Sequence, residues 1–240
     1  MRYRWLMSPR IDINFDFRTD TPPGKDPDAL SPTLRSYHRN LWSKPLPNGA
    51  FFGLDDNKPG AYLYHQSDLG EFLLSSDSAI HTFSRWASMA HIIGQLKEGE
   101  AEAFRRISYT MGGMIIFPAN KVDGKMTING ARGLHPLIKD RIDLTLECIR
   151  RYYANELSPL TETLSRYSDF FSLFSNFQGY VEFFLLQDLV REDFTTINFL
   201  MPFDDFKTPV VPKTIDAYLS YKHLTTTFVK ERNQRIIEAI

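Results

Sequence analysis

Ile11, Ile13, Phe15 and Phe17 alternate with Asp12, Asn14, Asp16 and Arg18, a period of two that predicts a strand with one buried and one polar face. Thr21-Pro22-Pro23-Gly24 closes it, because proline cannot donate to a ladder and glycine permits the turn. Ser31 before Pro32 then signals a helix start, with Leu34, Tyr37, His38, Leu41 and Trp42 on one face. Lys44 to Gly60 reads as a surface connection holding a short strand at Phe51-Phe52. Ala61 to His65 and Glu71 to Leu74 form the next pair of strands. Asp77 is placed to cap a helix carrying Ile80, Phe83, Ala87 and Ala90, and a second helix spans Glu98 to Ile107.

Met114 to Phe117 predicts a strand, with Lys125 to Asn129 returning as its partner after the Asp123-Gly124 turn. Gly130-Ala131-Arg132-Gly133 reads as a loop, followed by a long helix from Pro136 to about Asn155 with Ile138, Ile142, Leu146, Ile149 and Tyr153 in one stripe. Ser158-Pro159 opens another helix through Phe174, and Tyr180 to Val190 is apolar enough for a buried one. Thr195 to Met201 reads as a strand, and two helices, the first capped near Thr214, end the chain. This order lacks a strict βαβα rhythm and turns helical in its second half. It predicts an α+β fold, a small mixed or antiparallel sheet backed by a predominantly helical C-terminal half, in a single domain over residues 1–240.

Composition narrows the function more than the fold. Twenty-eight basic against twenty-nine acidic residues leave a net charge of −1, without the basic excess of a duplex-DNA binder. Cys148 is the only cysteine, which excludes an internal disulfide and a cysteine-cluster zinc site, and its mid-helix setting reads as buried. Met1-Arg2-Tyr3-Arg4-Trp5 lacks the apolar core of a signal peptide, and the Tyr180–Leu186 run is too short to span a bilayer. The expected location is cytoplasmic, with no membrane partner.

Arg132 is the leading candidate for chemistry. Between two glycines and ahead of a helix, its guanidinium would clamp a phosphate or carboxylate at the helix entrance, with Gly130 and Gly133 admitting the ligand and His135 adding a donor. The plainer reading ties Arg132 to Asp123, Asp140 or another acid. His65, at a strand end, is the candidate general base or ribose contact, against a simple turn histidine. Ser75 and Ser76 offer hydroxyls to a cofactor, or cap the next helix. Asp12, Asn14 and Asp16 would line a metal site, or be the wet face of a strand. Walker, dinucleotide, zincin and EF-hand patterns are absent, so no cofactor is assigned.

Gly112-Gly113-Met114-Ile115-Ile116-Phe117-Pro118, Thr127-Ile128-Asn129-Gly130-Ala131-Arg132-Gly133 and Asp143-Leu144-Thr145-Leu146-Glu147-Cys148-Ile149-Arg150 resemble segments of a family of bacterial proteins of unknown function. The resemblance extends to Phe15-Asp16-Phe17-Arg18-Thr19-Asp20 and Phe183-Phe184-Leu185-Leu186-Gln187-Asp188. It implies a bacterial, cytoplasmic, single-domain protein and carries no activity.

Three functions are consistent with these residues. The first is an enzyme acting on a nucleotide or nucleic acid, such as an NAD-consuming transferase of toxin or phage-defence type, with an anion site at Arg132. The second is a non-catalytic subunit or antitoxin-like partner binding protein through its aromatic-rich surface. The third is a metal-dependent hydrolase using Asp12, Asn14 and Asp16. A small anionic or nucleotide ligand is the partner favoured by the first.

Overall fold

The computed structural model describes residues 10–240, and the reading of Met1–Trp5 lies outside them. The helices are α1 (Pro27–Leu30), α2 (Pro32–Trp42), α3 (Ala90–Ile93), α4 (Glu100–Ser108), α5 (Ile128–Leu134), α6 (Ile142–Tyr153), α7 (Thr161–Ser165), α8 (Ser168–Ser172), α9 (Phe177–Phe183) and α10 (Ile215–Ala239). The strands are β1 (Lys44–Pro45), β2 (Phe51–Phe52), β3 (Leu63–Ser67), β4 (Gly70–Ser78) and β5 (Met114–Pro118). β1 and β2 form an antiparallel ribbon, and β3-β4-β5 an antiparallel sheet in that order. This is an α+β fold with a small antiparallel sheet and a mainly helical second half.

Local signals explain the elements that sequence and structure share. Ser31 Oγ accepts from the Leu34 amide and Pro32 stands at the first helical position, so α2 starts where its cap allows. Its five apolar-face residues are all buried. Thr214 Oγ1 likewise accepts from Ala217 to start α10, which runs unbroken for 25 residues where two helices are predicted. β5 is buried along its whole length. Behind it, α10 packs on the Met111–Gly113 turn, where the Arg232 guanidinium donates to the Gly112, Met114 and Phe184 carbonyls.

Several predicted elements do not form. Ile11 to Phe17 is a chain of turns, because Asp12 and Asp16 carboxylates accept from the Asn14 and Arg18 amides and compete with strand pairing. Asp77 does not cap a helix; it lies within β4, opposite Ile115. Lys125 to Asn129 is not the partner of β5, whose neighbour is β4, and Ile128 onward is helical. The helix expected from Pro136 begins at Ile142, after Lys139 and Asp140 adopt left-handed φ values of 50° and 56°. The Ser158–Phe174 helix is split into α7 and α8. The apolar run through Val190 is helical only to Phe183, with Leu185 at φ 55° breaking it. Thr195 to Met201 contributes one isolated bridge, Val190 to Ile197.

Candidate functional site

The Gly130–Gly133 segment is helix, not loop. Thr127 caps α5 through its hydroxyl, and this local hydrogen bond outweighs the weak helix propensity of two glycines. Arg132 therefore faces inward and is fully buried. Its Nη1 donates to Asp77 Oδ2 at 2.5 Å and to the Ser78 carbonyl at 2.8 Å. Nη2 donates to the Asp140 carbonyl at 2.8 Å, and Nε to Thr145 Oγ1 at 3.1 Å. With four of its five N–H donors engaged inside the protein and its side chain fully buried, Arg132 is not presented to an external phosphate. The expected anion site at the entrance of the long helix is corrected on this ground.

The other sequence candidates scatter. His65 is buried on β3, its Nδ1 donating to the Gly53 carbonyl at 2.8 Å and its Nε2 2.7 Å from Ser67 Oγ. It pairs with Phe72, five residues before Asp77 on β4, or about 17 Å at ~3.4 Å per residue. His65 and Arg132 thus share no pocket, and His65 does not line the cleft described below. His135 closes α5, its Nδ1 accepting from the Leu137 amide, and faces no cleft-lining residue in that role. Gly130 sits against Met126, where a Cβ would lie 2.6 Å from Cγ. A Cβ on Gly133 would lie 2.9 Å from Asp140 Oδ1, so this glycine makes room for an internal carboxylate rather than for a ligand. Asp12 and Asp16 are spent on the Asn14 amide and on Arg18. Among the described residues no group of three His, Cys, Asp or Glu side chains is gathered to hold a metal ion. Cys148 is buried, its thiol pushed up to about 12 by burial.

Ser75 and Ser76 do line a cleft, and it is built around Asp28 and Asp77, neither of which carries a sequence signal for chemistry. The cleft has a volume of about 480 Å³ and is walled by Asp28, Arg35, Tyr62, Ser75, Asp77 and Asn129 among others. Asp26, Asp28 and Asp77 continue into an adjoining hollow of about 400 Å³ with His81, Trp86 and Asp140. Asp28 is delivered by α1, whose cap is the Asp26 side chain and which packs on β4. Ser75 and Asp77 stand two apart on β4 and so project to the same face. Asn129 donates to Ser75 Oγ at 3.0 Å and to the Ser76 carbonyl at 3.1 Å.

Four buried polar atoms along the first cleft have no protein hydrogen-bond partner: Asp28 Oδ1, Arg35 Nε, Tyr62 Oη and Asn129 Oδ1. Buried polar groups are satisfied in the great majority of cases, because leaving one unpaired costs about 1–3 kcal/mol. All four belong to residues that wall one concavity, so unmet hydrogen-bonding capacity is gathered just behind its surface, a setting suited to a ligand bearing hydroxyl groups.

Electrostatics divide the two main carboxyls. Burial holds Asp28 well above the usual carboxylate range, reinforced by Asp77, Asp26 and Asp140. Asp77 is pushed up to about 6, again chiefly by burial, with Arg132 pulling in the opposite direction. Asp28 therefore favours its protonated form more strongly than an ordinary carboxyl does, while Asp77 is mostly ionised at neutral pH beside Arg132. The Tyr62 hydroxyl is raised by burial and by Asp28, so it remains a donor.

Behind this wall, Trp42 Nε1 donates to His38 Nδ1 at 2.9 Å. That contact leaves the proton on His38 Nε2, which donates to Ser76 Oγ at 3.0 Å. Burial lowers His38 to about 3, so the ring stays neutral. In this tautomer His38 positions Ser76 and cannot take its proton, so a serine nucleophile is not assembled.

A larger concavity of about 560 Å³ lies elsewhere, between Phe199–Phe203 and α10, and carries no titratable lining. No helix among the described residues is long and apolar enough to cross a membrane.

No curated protein and no solved structure matches the chain. One family model does, and it covers residues 11–236, so it takes in α1, β4, α5 and every cleft-lining residue named above. The chain belongs to this group, the DUF6994 family, described as a family of unknown function.

Proposed function

We propose that this protein is an enzyme that binds a hydroxyl-bearing ligand in the Asp28–Asp77 cleft and breaks a bond in it by acid–base catalysis. The observation that carries this reading is the set of four unpartnered buried polar atoms beside two carboxyls of different proton affinity. A protonated Asp28 donates to the departing group. An ionised Asp77, held by Arg132, takes a proton from the attacking water or steadies positive charge in the transition state. Cleavage of a glycosidic or N-glycosidic bond suits this division, because its transition state is cation-like and the acidic wall favours it. Tyr62 and Trp86 add aromatic surface to the walls, of a kind that packs against a sugar or base. A nucleotide or NAD-like compound is one member of this substrate class, reached without Arg132 as its phosphate anchor.

The test is turnover of a panel of nucleosides, nucleotides and simple glycosides followed by mass spectrometry. At least one compound is cleaved, and Asp28→Asn and Asp77→Asn each lower kcat by about 10²–10⁴ with the fold intact by circular dichroism. Turnover that is indifferent to both substitutions, or no turnover across the panel, removes the proposal.

A further inference from the structure

The acidic hollow does not end at Asp140. It shares Arg85 and Tyr109 with a smaller pocket of about 130 Å³, closed by Arg18, the Thr21–Lys25 turn and Pro27. The three concavities overlap through shared residues, so they form one trench. Its first section holds the unpartnered donors and acceptors, its middle the carboxyls, and its far end Arg18, Lys25 and Arg85. The charge changes along the trench. Four aspartates line the middle together with Arg85 and Arg105, whereas the lining of the last pocket contains basic residues and no acid.

The basic groups at the far end differ in their commitments. Arg18 is held by Asp16 and Glu102, and the neighbouring Arg105 by Glu102. Arg85 and Lys25 make no ion pair among the described residues. Arg18 thus stands as a neutralised wall, and Lys25 and Arg85 are the two cations without an acidic partner among the described residues. A volume of about 130 Å³ equals roughly four waters at ~30 Å³ each. That is room for a tetrahedral oxyanion. Pro22 and Pro23 restrict the backbone of the turn that carries Lys25, which lowers the ordering cost of closing it.

We infer that the Arg18–Lys25–Arg85 pocket is an anion subsite that takes the phosphate of a phosphorylated, hydroxyl-bearing ligand whose uncharged portion lies along the Asp28–Asp77 cleft. This rests on the catalytic reading above and names its substrate class: a phosphate monoester of a sugar or nucleoside. The negative end is kept clear of the aspartates, so the acidic middle section repels a misdocked phosphate and sets the direction in which the ligand lies.

The experiment is a titration of the full chain with inorganic phosphate at low ionic strength, followed by ¹⁵N–¹H NMR, with acetate titrated in parallel. Gly24 and Lys25 amide signals and the Arg85 Nε signal shift and saturate with phosphate. Phosphate saturates them at a concentration at least threefold lower than acetate. Arg85→Ala combined with Lys25→Ala weakens phosphate binding at least tenfold, while Asp28→Asn leaves the same three signals responsive. Shifts that never saturate, that survive the double substitution, or that follow acetate as well as phosphate overturn the subsite. Saturable phosphate binding together with turnover indifferent to Asp28→Asn would keep the subsite and remove the catalytic reading. Turnover of unphosphorylated compounds alone, with no saturable phosphate shift, would do the reverse.

Discussion

Arg132 illustrates how one buried cation serves a site without touching its ligand. The guanidinium lies behind Asp77 and ties β4 to the Asp140 turn and to α6 through Thr145. Removing one partner of such a pair leaves the other charge stranded, which costs about 3–5 kcal/mol, whereas replacing both partners is far milder. Arg132→Ala is therefore expected to lower unfolding stability in urea by about that amount. Arg132→Met combined with Asp77→Asn recovers most of the loss, and additive losses in the two single variants would contradict the pairing. Arg132 was conspicuous in the sequence because glycines flank it, and the plainer reading, a tie to an acid such as Asp140, describes its contacts. Asp77 was out of reach, because 55 residues separate it from Arg132 and only the sheet brings them together. Caps such as Ser31 and Thr214 were legible for the opposite reason: each is settled within three residues.

At the scale of elements, the close seat of α10 on the sheet fixes the back of the molecule. Gly112 and Gly113 precede β5 because side chains do not fit there. A Cβ on Gly112 would lie 2.5 Å from the Val229 carbonyl oxygen and 2.9 Å from the Asn233 side chain. Asn233 Oδ1 in turn accepts from the Gly112 amide at 2.7 Å. Gly112→Ala must push α10 away and disturb the Arg232 contacts to the Gly112 and Met114 carbonyls. A loss of about 1–3 kcal/mol is expected from the overpacking, measurable by denaturant unfolding. A neutral substitution would show that α10 is free to shift. Helices with long amphipathic stripes were readable in the sequence, since burial of one face decides them. Strand readings fared unevenly. Leu63–Ser67 and Gly70–Ser78 pair as adjacent segments do, whereas Ile11–Phe17 has the right alternation but pairs with no strand among the described residues. Alternation shows that one face can be buried; it does not show that a partner edge is available.

For the whole molecule, the candidate cleft gathers side chains from α1, α2, the segment before β3, β4, α5 and the turn before α6. Ser75 and Ser76 are its members that local pattern marks as candidates for binding, whereas local pattern marks Asp77 only as a helix cap. Asp26 and Asp28 sit in an Asp-Pro-Asp stretch that reads as a turn, and nothing nearby in sequence shows that it lies against β4. The chemistry proposed here belongs to the tertiary arrangement, as does the separation of the two carboxyls. A raised carboxyl affinity in the folded state weakens stability as pH climbs, since the unfolded chain gives up that proton near its ordinary value of 3.8. The direct test is the pH titration of the Asp28 and Asp77 side-chain carboxyl carbons by ¹³C NMR. Asp77 is expected to titrate with a midpoint near 6, and Asp28 with a midpoint clearly above the ordinary carboxylate range. Two ordinary midpoints, both near 4, would contradict this expectation.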